Sequence, residues 1–205
     1  MTRIAVIGCG YVGAVSAACF AELGHHVDCI DTDESRVALL QQGRGPIYEP
    51  GLDELLRRGL EAGRLTFSSA YPDRFEARIV FIAVNTPEAE DGAADIRGVR
   101  DAVAMVAPRL LPGSIIVNKS TVPIGTGELV AGMAERAGAE DFAVVSNPEF
   151  LREGSAIHDF MHPDRIVLGS DDPSAIARVA ELYAPLNATI QCTDGPSVVL
   201  HLRFE

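Results

Sequence analysis

The stretch Arg3-Ile4-Ala5-Val6-Ile7-Gly8-Cys9-Gly10-Tyr11-Val12-Gly13 decides the fold. Arg3–Ile7 is a β-branched run that stops at glycine, the mark of a buried strand. Tyr11–Leu23 has helical periodicity and ends at Gly24, a natural C-cap. Between strand and helix the glycines stand at G-x-G-x-x-G spacing. Gly8 permits the tight turn, Gly10 lets the backbone approach a pyrophosphate, and Gly13 lets the helix pack against the strand. Phosphates would sit on the helix N-terminus, where free N–H groups and the macrodipole favour negative charge.

Working outward, Val27–Ile30 is the next short strand, closed by Asp31. Asp31 lies 23 positions after Gly8, against about 20 for the acid that holds the ribose in dinucleotide-binding folds. A carboxylate there accepts from both ribose hydroxyls and repels a 2′-phosphate, so NAD is expected over NADP. Arg36 either neutralises a phosphate or lies along the adenosine side. A flavin is the competing ligand, because the same glycine pattern serves it.

The alternation continues along the chain. Helices are predicted over Asp33–Gln41, Leu52–Glu61, Asp95–Ala107, Gly127–Arg136 and Pro173–Tyr183. Strands are predicted over Arg78–Val84, Ser114–Asn118, Phe142–Ser146, Arg165–Leu168 and Thr189–Gln191. This pattern predicts an α/β protein of Rossmann type: a doubly wound, mostly parallel sheet with helices on both faces.

Composition narrows the function classes. With 205 residues, 47% of them hydrophobic, the chain can bury a real core. Its net charge of −12 argues against a general nucleic-acid surface, which needs a basic stripe. No apolar run reaches the roughly 18 residues of a membrane span, and the first residues lack a signal-peptide pattern. Cys9, Cys19, Cys29 and Cys192 form no C-x-x-C pair and read as reduced thiols of a cytoplasmic protein.

Five further clusters lie in or beside loops, three of them directly after predicted strands, where loops of an open parallel sheet build binding sites. They are Pro46-Ile47-Tyr48-Glu49-Pro50-Gly51-Leu52, Val84-Asn85-Thr86-Pro87, Lys119-Ser120-Thr121-Val122-Pro123-Ile124-Gly125-Thr126, Asn147-Pro148-Glu149-Phe150-Leu151-Arg152-Glu153-Gly154 and His162-Pro163-Asp164-Arg165-Ile166-Val167. In order and spacing, these and the N-terminal glycines closely resemble the UDP-glucose/GDP-mannose dehydrogenase family. The K-S-T-V-P-x-G-T and P-D-R-I-V segments are most similar to its UDP-glucose 6-dehydrogenase branch. The resemblance runs from about Thr2 to Asp194.

The resemblance implies a chemistry. The family oxidises a primary alcohol of a nucleotide sugar twice, to a carboxylate, with two NAD. A cysteine captures the intermediate aldehyde as a thiohemiacetal, which is oxidised to a thioester and hydrolysed. By the same resemblance Gly8, Gly10, Tyr11, Val12 and Gly13 hold the pyrophosphate, with Asp31 and Arg36 at the adenosine ribose. Thr86 and Thr121 lie near the nicotinamide half, and Glu153 near the cofactor. Thr121 and Glu149 position or activate the hydrolytic water, and Glu149, Phe150, Leu151 and Arg152 touch the UDP-sugar. Full-length relatives are expected to be homodimers. Asn85 departs from the family's usual glycine. His158 and His162 have the i, i+4 spacing of two metal ligands on a helix, but no third ligand is in view and the family needs no metal.

The resemblance stops near the C-terminus. Residues 1–194 read as the NAD-binding domain and 195–205 as a diverged or truncated tail. Val199 and Leu202 stand where the family has a glutamate and its catalytic lysine, and Gly195-Pro196 opposes the long helix expected there. By the resemblance, the family's dimerisation helix and its second domain, which carries the nucleophilic cysteine in an F-G-G-S-C-type segment, are expected to be missing from these 205 residues. Two classes of function follow. One is a dehydrogenase that needs a second domain from another chain, acting on UDP-glucose, GDP-mannose or UDP-N-acetylmannosamine. The other is an NAD-binding module without catalysis.

Overall fold

The computed structural model describes residues 1–88, 94–120 and 125–195. Its elements are β1 (Arg3–Ile7), α1 (Tyr11–Glu22), β2 (His26–Ile30), α2 (Glu34–Gln41), α3 (Leu52–Glu61), β3 (Leu65–Ser68), β4 (Ile79–Ile82) and α4 (Arg97–Val106). They continue with β5 (Ser114–Asn118), α5 (Thr126–Arg136), β6 (Phe142–Ser146), α6 (Ala156–Met161), β7 (Ile166–Gly169), α7 (Pro173–Ala180) and β8 (Ile190–Thr193). Tight 3-10 turns follow α4 and α7.

Eight strands form one sheet in the order β3-β2-β1-β4-β5-β6-β7-β8. The chain first winds outward from β1 to β3, then crosses back to place β4 on β1's other side. The crevice between the C-terminal ends of β1 and β4 is therefore the switch point at which such sheets bind ligands. From β3 to β6 the strands are parallel. β7 turns antiparallel to β6 at Ser146 and Gly169, and β8 runs parallel to β7.

Strand side chains alternate between two cores, as a sheet covered on both faces requires. Ile4, Val6, Phe81 and Val117 join the helices α1, α3, α6 and α7 on one side. Ala5, Ile7, Val80, Ile82 and Ile116 meet α4 and α5 on the other. Helix α1 is buried from Gly13 to Ala21. Its small residues let it lie deep against the sheet, with α3 and α6 outside it.

The expected doubly wound α/β sheet is the observed one, with local differences, among them the short helix α6, which no predicted helix covers. β3 has no sequence signal of its own, because Leu65-Thr66-Phe67-Ser68 is a short run whose strand state comes from pairing along β2. Helix α7 stops at Ala180 and continues as a 3-10 turn, Glu181–Leu186, that contains Pro185, which has no N–H to continue an α-helix. β4 is shorter than Arg78–Val84, since Ala83 and Val84 already belong to the loop over the glycine turn.

Candidate functional site

The glycine turn closes against the end of β4. Gly8 has φ +91°, and its N–H donates to the Ile30 carbonyl at 2.8 Å. A Cβ on Gly8 would stand 2.8 Å from the Ala83 carbonyl oxygen. At Gly13 the space is smaller still: a Cβ would lie 1.8 Å from the Gly8 carbonyl oxygen. Helix α1 starts without a side-chain cap and without an acid in its first turn. Its leading N–H groups and positive dipole end are left for an anion from outside the helix.

Asp31 sits at the end of β2, 6% exposed. Its Oδ2 accepts from the Cys9 N–H at 2.6 Å and its Oδ1 from the Asp33 N–H at 2.9 Å. Arg36 Nη1 donates to both oxygens, at 3.0 and 2.8 Å. The first cause of Arg36's raised pKa is this bond to Asp31. Asp33 caps α2, accepting from the Ser35 and Arg36 N–H groups, and this holds Arg36 in reach of Asp31. A cavity of about 330 Å³ opens here, lined by Gly8, Gly10, Asp31, Arg36, Tyr71 and Asn85 among others. Asn85 turns toward the glycines: a Cβ on Gly10 would lie 3.1 Å from its Oδ1.

A larger cavity of about 530 Å³ lies beyond the ends of β5 and β6. Glu149, Phe150, Leu151 and Arg152 line it together, as do Lys119 and Arg165. Glu149 folds its carboxylate back onto the Leu151 N–H. Arg152 is exposed but fixed by Asp159, with Nη2 to Oδ1 at 2.7 Å and Nε to Oδ2 at 3.1 Å. The same Arg152 bond holds the Asp159 carboxyl well below the usual carboxylate range. Lys119 is 4% exposed. Its ammonium reaches Asn147 Oδ1 at 3.4 Å, an atom that also accepts from the Tyr183 hydroxyl at 2.5 Å. Burial pushes its pKa down to about 8.

Tyr11 links the glycine turn to the segment that follows Glu149. Its hydroxyl lies 2.9 Å from Glu49 Oε2 and 2.9 Å from the Arg152 carbonyl oxygen, both acceptors. Glu49, 6% exposed, also accepts from the Gly154 N–H at 2.8 Å and the Ala156 N–H at 2.9 Å. Glu153 is exposed next to this junction, and Glu49, Glu153 and Glu149 all add to the upward push on the Tyr11 hydroxyl that burial begins.

Among the residues singled out from sequence, Gly8, Gly10, Tyr11, Val12, Gly13, Asp31 and Arg36 are gathered at the turn and the end of β2. Thr86 lies half-buried on the loop after β4. Glu149–Arg152 share the second cavity. Thr121 and residues 196–205 lie outside the described residues. Glu49 and Lys119 stood in quoted motifs without a role. Nothing in a single sequence says that a loop glutamate will be buried under another segment 105 residues away. His158 and His162 stack, ring centroids 4.8 Å apart, and His162 Nδ1 faces the His158 carbonyl oxygen. Among the described residues no three His, Cys, Asp or Glu side chains are grouped to hold a metal ion.

Comparison with known proteins agrees with this geometry. Residues 2–187 match the NAD-binding domain model of the UDP-glucose/GDP-mannose dehydrogenase family. UDP-glucose 6-dehydrogenase of Pseudomonas aeruginosa is 49% identical over 189 residues, 89% of this chain and 42% of the relative. A UDP-glucose 6-dehydrogenase of Bacillus subtilis is 49% identical over 193 residues, again 42% of its length. The chain thus spans less than half the length of these curated relatives. Among solved structures, a UDP-glucose dehydrogenase from Pyrobaculum islandicum superposes with a TM-score of 0.87 at 44% identity, covering 96% of this chain and 47% of that one. A GDP-mannose dehydrogenase from Pseudomonas aeruginosa gives 0.91 at 33% identity, covering 95% and 47%. The glycine turn, the acid after β2 and the ordered loop motifs are those of one lineage: this chain belongs to the UDP-glucose/GDP-mannose dehydrogenase family and carries its NAD-binding domain.

Proposed function

We propose that the chain is the cofactor half of a UDP-glucose 6-dehydrogenase, binding NAD in the crevice between β1 and β4 and contributing one wall of the UDP-sugar site. The observation that carries this reading is the cradle over Gly10. A Cβ there would project beside Asn85 into the cavity that Asp31 and Arg36 also line. A dinucleotide fits that donor set, with pyrophosphate on the bare start of α1 and adenosine ribose at Asp31. Bound NAD supplies a hydride acceptor. This chain's own residues bind and orient it: Gly8, Gly10, Tyr11, Val12 and Gly13 at the phosphates, Asp31 and Arg36 at the ribose, and Thr86, Thr121 and Glu153 toward the nicotinamide half.

In the second cavity, Glu149, Phe150, Leu151 and Arg152 would contact the nucleotide sugar, with Thr121 and Glu149 placing the water that hydrolyses the thioester. The choice of UDP-glucose over other nucleotide sugars follows from the likeness of the Lys119–Thr126 and Pro163–Val167 segments to the UDP-glucose branch of the family. Among the described residues no cysteine lines either cavity. Burial pushes the Cys19 thiol up to about 12 and Cys29 well above the ordinary thiol range, which suits inert core residues rather than nucleophiles. The thiolate would therefore come from a segment other than those that line the two cavities. The four free thiols fit a reducing compartment such as the cytoplasm. Full-length proteins of this type would work as homodimers.

Titration of NADH fluorescence with purified chain tests the reading. Saturable binding is expected for the unmodified chain, and loss of it in a folded Gly10→Ala variant, because only the flexible Asn85 side chain opposes that methyl in the protein itself. An unmodified chain that leaves NADH fluorescence unchanged overturns it.

A further inference from the structure

One carboxylate oxygen joins three segments distant in sequence. Glu49 Oε2 meets the Tyr11 hydroxyl and the Gly154 N–H, while Oε1 of the same side chain takes the Ala156 N–H. Tyr11 opens α1, on the turn where the cofactor phosphates belong. Gly154 and Ala156 follow Glu149 and Arg152, which line the other cavity. The Arg152 carbonyl, also 2.9 Å from the Tyr11 hydroxyl, is the alternative acceptor for its single proton, so either bond ties Tyr11 to this region. A buried carboxylate with three short donors is well anchored, since Oε1 has one donor and Oε2 two, and each bond lost weakens the solvation of a buried charge.

We infer that Glu49 is a positioning residue that couples the two sites: an occupied cofactor turn orders the segment Glu149–Ala156 through Tyr11 and Glu49. The inference rests on the cofactor reading above. Its physical basis is differential order. A pyrophosphate on the first turn of α1 removes motion from Tyr11. The ring then holds Glu49 Oε2 and the Arg152 carbonyl in one place, and the backbone between Arg152 and Ala156 loses freedom with them. Without the cofactor the same bonds form but open more often, because the turn that carries Tyr11 is less restrained. The nucleotide-sugar wall is thereby set when the cofactor is in place.

Amide hydrogen exchange read by mass spectrometry on the full 205-residue chain, with and without saturating NAD, tests the coupling. In the unmodified chain NAD is expected to slow exchange in the peptide covering residues 149–156 at least fivefold. Glu49→Gln should keep NAD affinity within threefold, yet reduce that protection to less than twofold, because an amide nitrogen replaces one acceptor. Tyr11→Phe, compared at saturation, should lose the protection as well. A purely structural role for Glu49 would speed exchange in both states equally and leave the NAD-induced ratio unchanged. Full NAD-induced protection in both variants overturns the coupling, as does NAD binding to the unmodified chain with no change at 149–156. Absence of NAD binding by titration overturns the cofactor reading and the coupling with it.

Discussion

Arg36 Nη1 donates to both carboxylate oxygens of Asp31, at 3.0 and 2.8 Å. The same carboxylate takes the N–H of Cys9 inside the glycine turn. The ribose acid and the phosphate turn are thus one hydrogen-bonded unit, and Arg36 already has an anionic partner within the protein. A 2′-phosphate arriving here would meet a carboxylate whose neighbouring cation is engaged.

Replacing Asp31 by alanine should therefore have two effects. NAD affinity should fall about tenfold or more, since a buried charge-assisted acceptor is worth roughly 1.5–3 kcal/mol. NADP affinity should fall less or rise, because the repulsive element is removed and Arg36 is freed. Calorimetric titration of both cofactors against the variant measures the narrowed ratio.

Two glycine substitutions should separate packing from backbone strain. Gly13→Ala forces a methyl onto the Gly8 carbonyl oxygen, where neither backbone can yield. It should cost at least about 3 kcal/mol or prevent folding. Gly24 has φ +94° with nothing within 4 Å of an added Cβ. Gly24→Ala should cost only the left-handed penalty of about 1 kcal/mol. Urea unfolding of the two variants gives the comparison.

His25 ties the start of the chain to the turn after α7. Its ring accepts from the Thr2 N–H at 3.3 Å and faces the Leu182 carbonyl oxygen at 3.0 Å. Burial lowers its pKa below the ordinary 6.5. Above pH 6.5 both folded and unfolded chains hold it neutral, and its contribution to stability is fully present. As pH falls below 6.5 the unfolded chain binds the proton first, so stability drops until pH passes the folded value. Urea midpoints should fall between pH 7.5 and pH 5.5, and His25→Gln should flatten that part of the slope. An unchanged slope in the variant would remove His25 from the account.

How much of this was legible in the sequence depends on how local each feature is. The glycine turn, β1, α3, β5 and β6 announce themselves through runs of neighbouring residues, and the alternation of strand and helix is enough for the doubly wound sheet. β3 is not legible because four residues carry little pattern, and their strand state is conferred by β2 beside them. The reversal at β7 depends on how the connection around α6 folds back, which strand periodicity does not encode. In the site, Asp31 was found by its distance from Gly8. Glu49 was not, because its meaning lies in contacts with residues 11, 154 and 156 that only the folded chain creates.

The purified chain should produce no NADH above background at saturating NAD and UDP-glucose. Hydride transfer from the alcohol needs a base for its proton, and the second oxidation needs a thiolate beside the aldehyde. Among the described residues no cysteine lines either cavity. Steady-state absorbance assays check this. Turnover abolished by replacing one of the four cysteines would refute it.

Side-by-side calorimetric titration of the unmodified chain with NAD and NADP tests the central claim most directly. The account predicts saturable, one-to-one NAD binding at least tenfold tighter than NADP, set by Asp31 at the end of β2. NADP binding as tightly as NAD, or no binding of either, would contradict it.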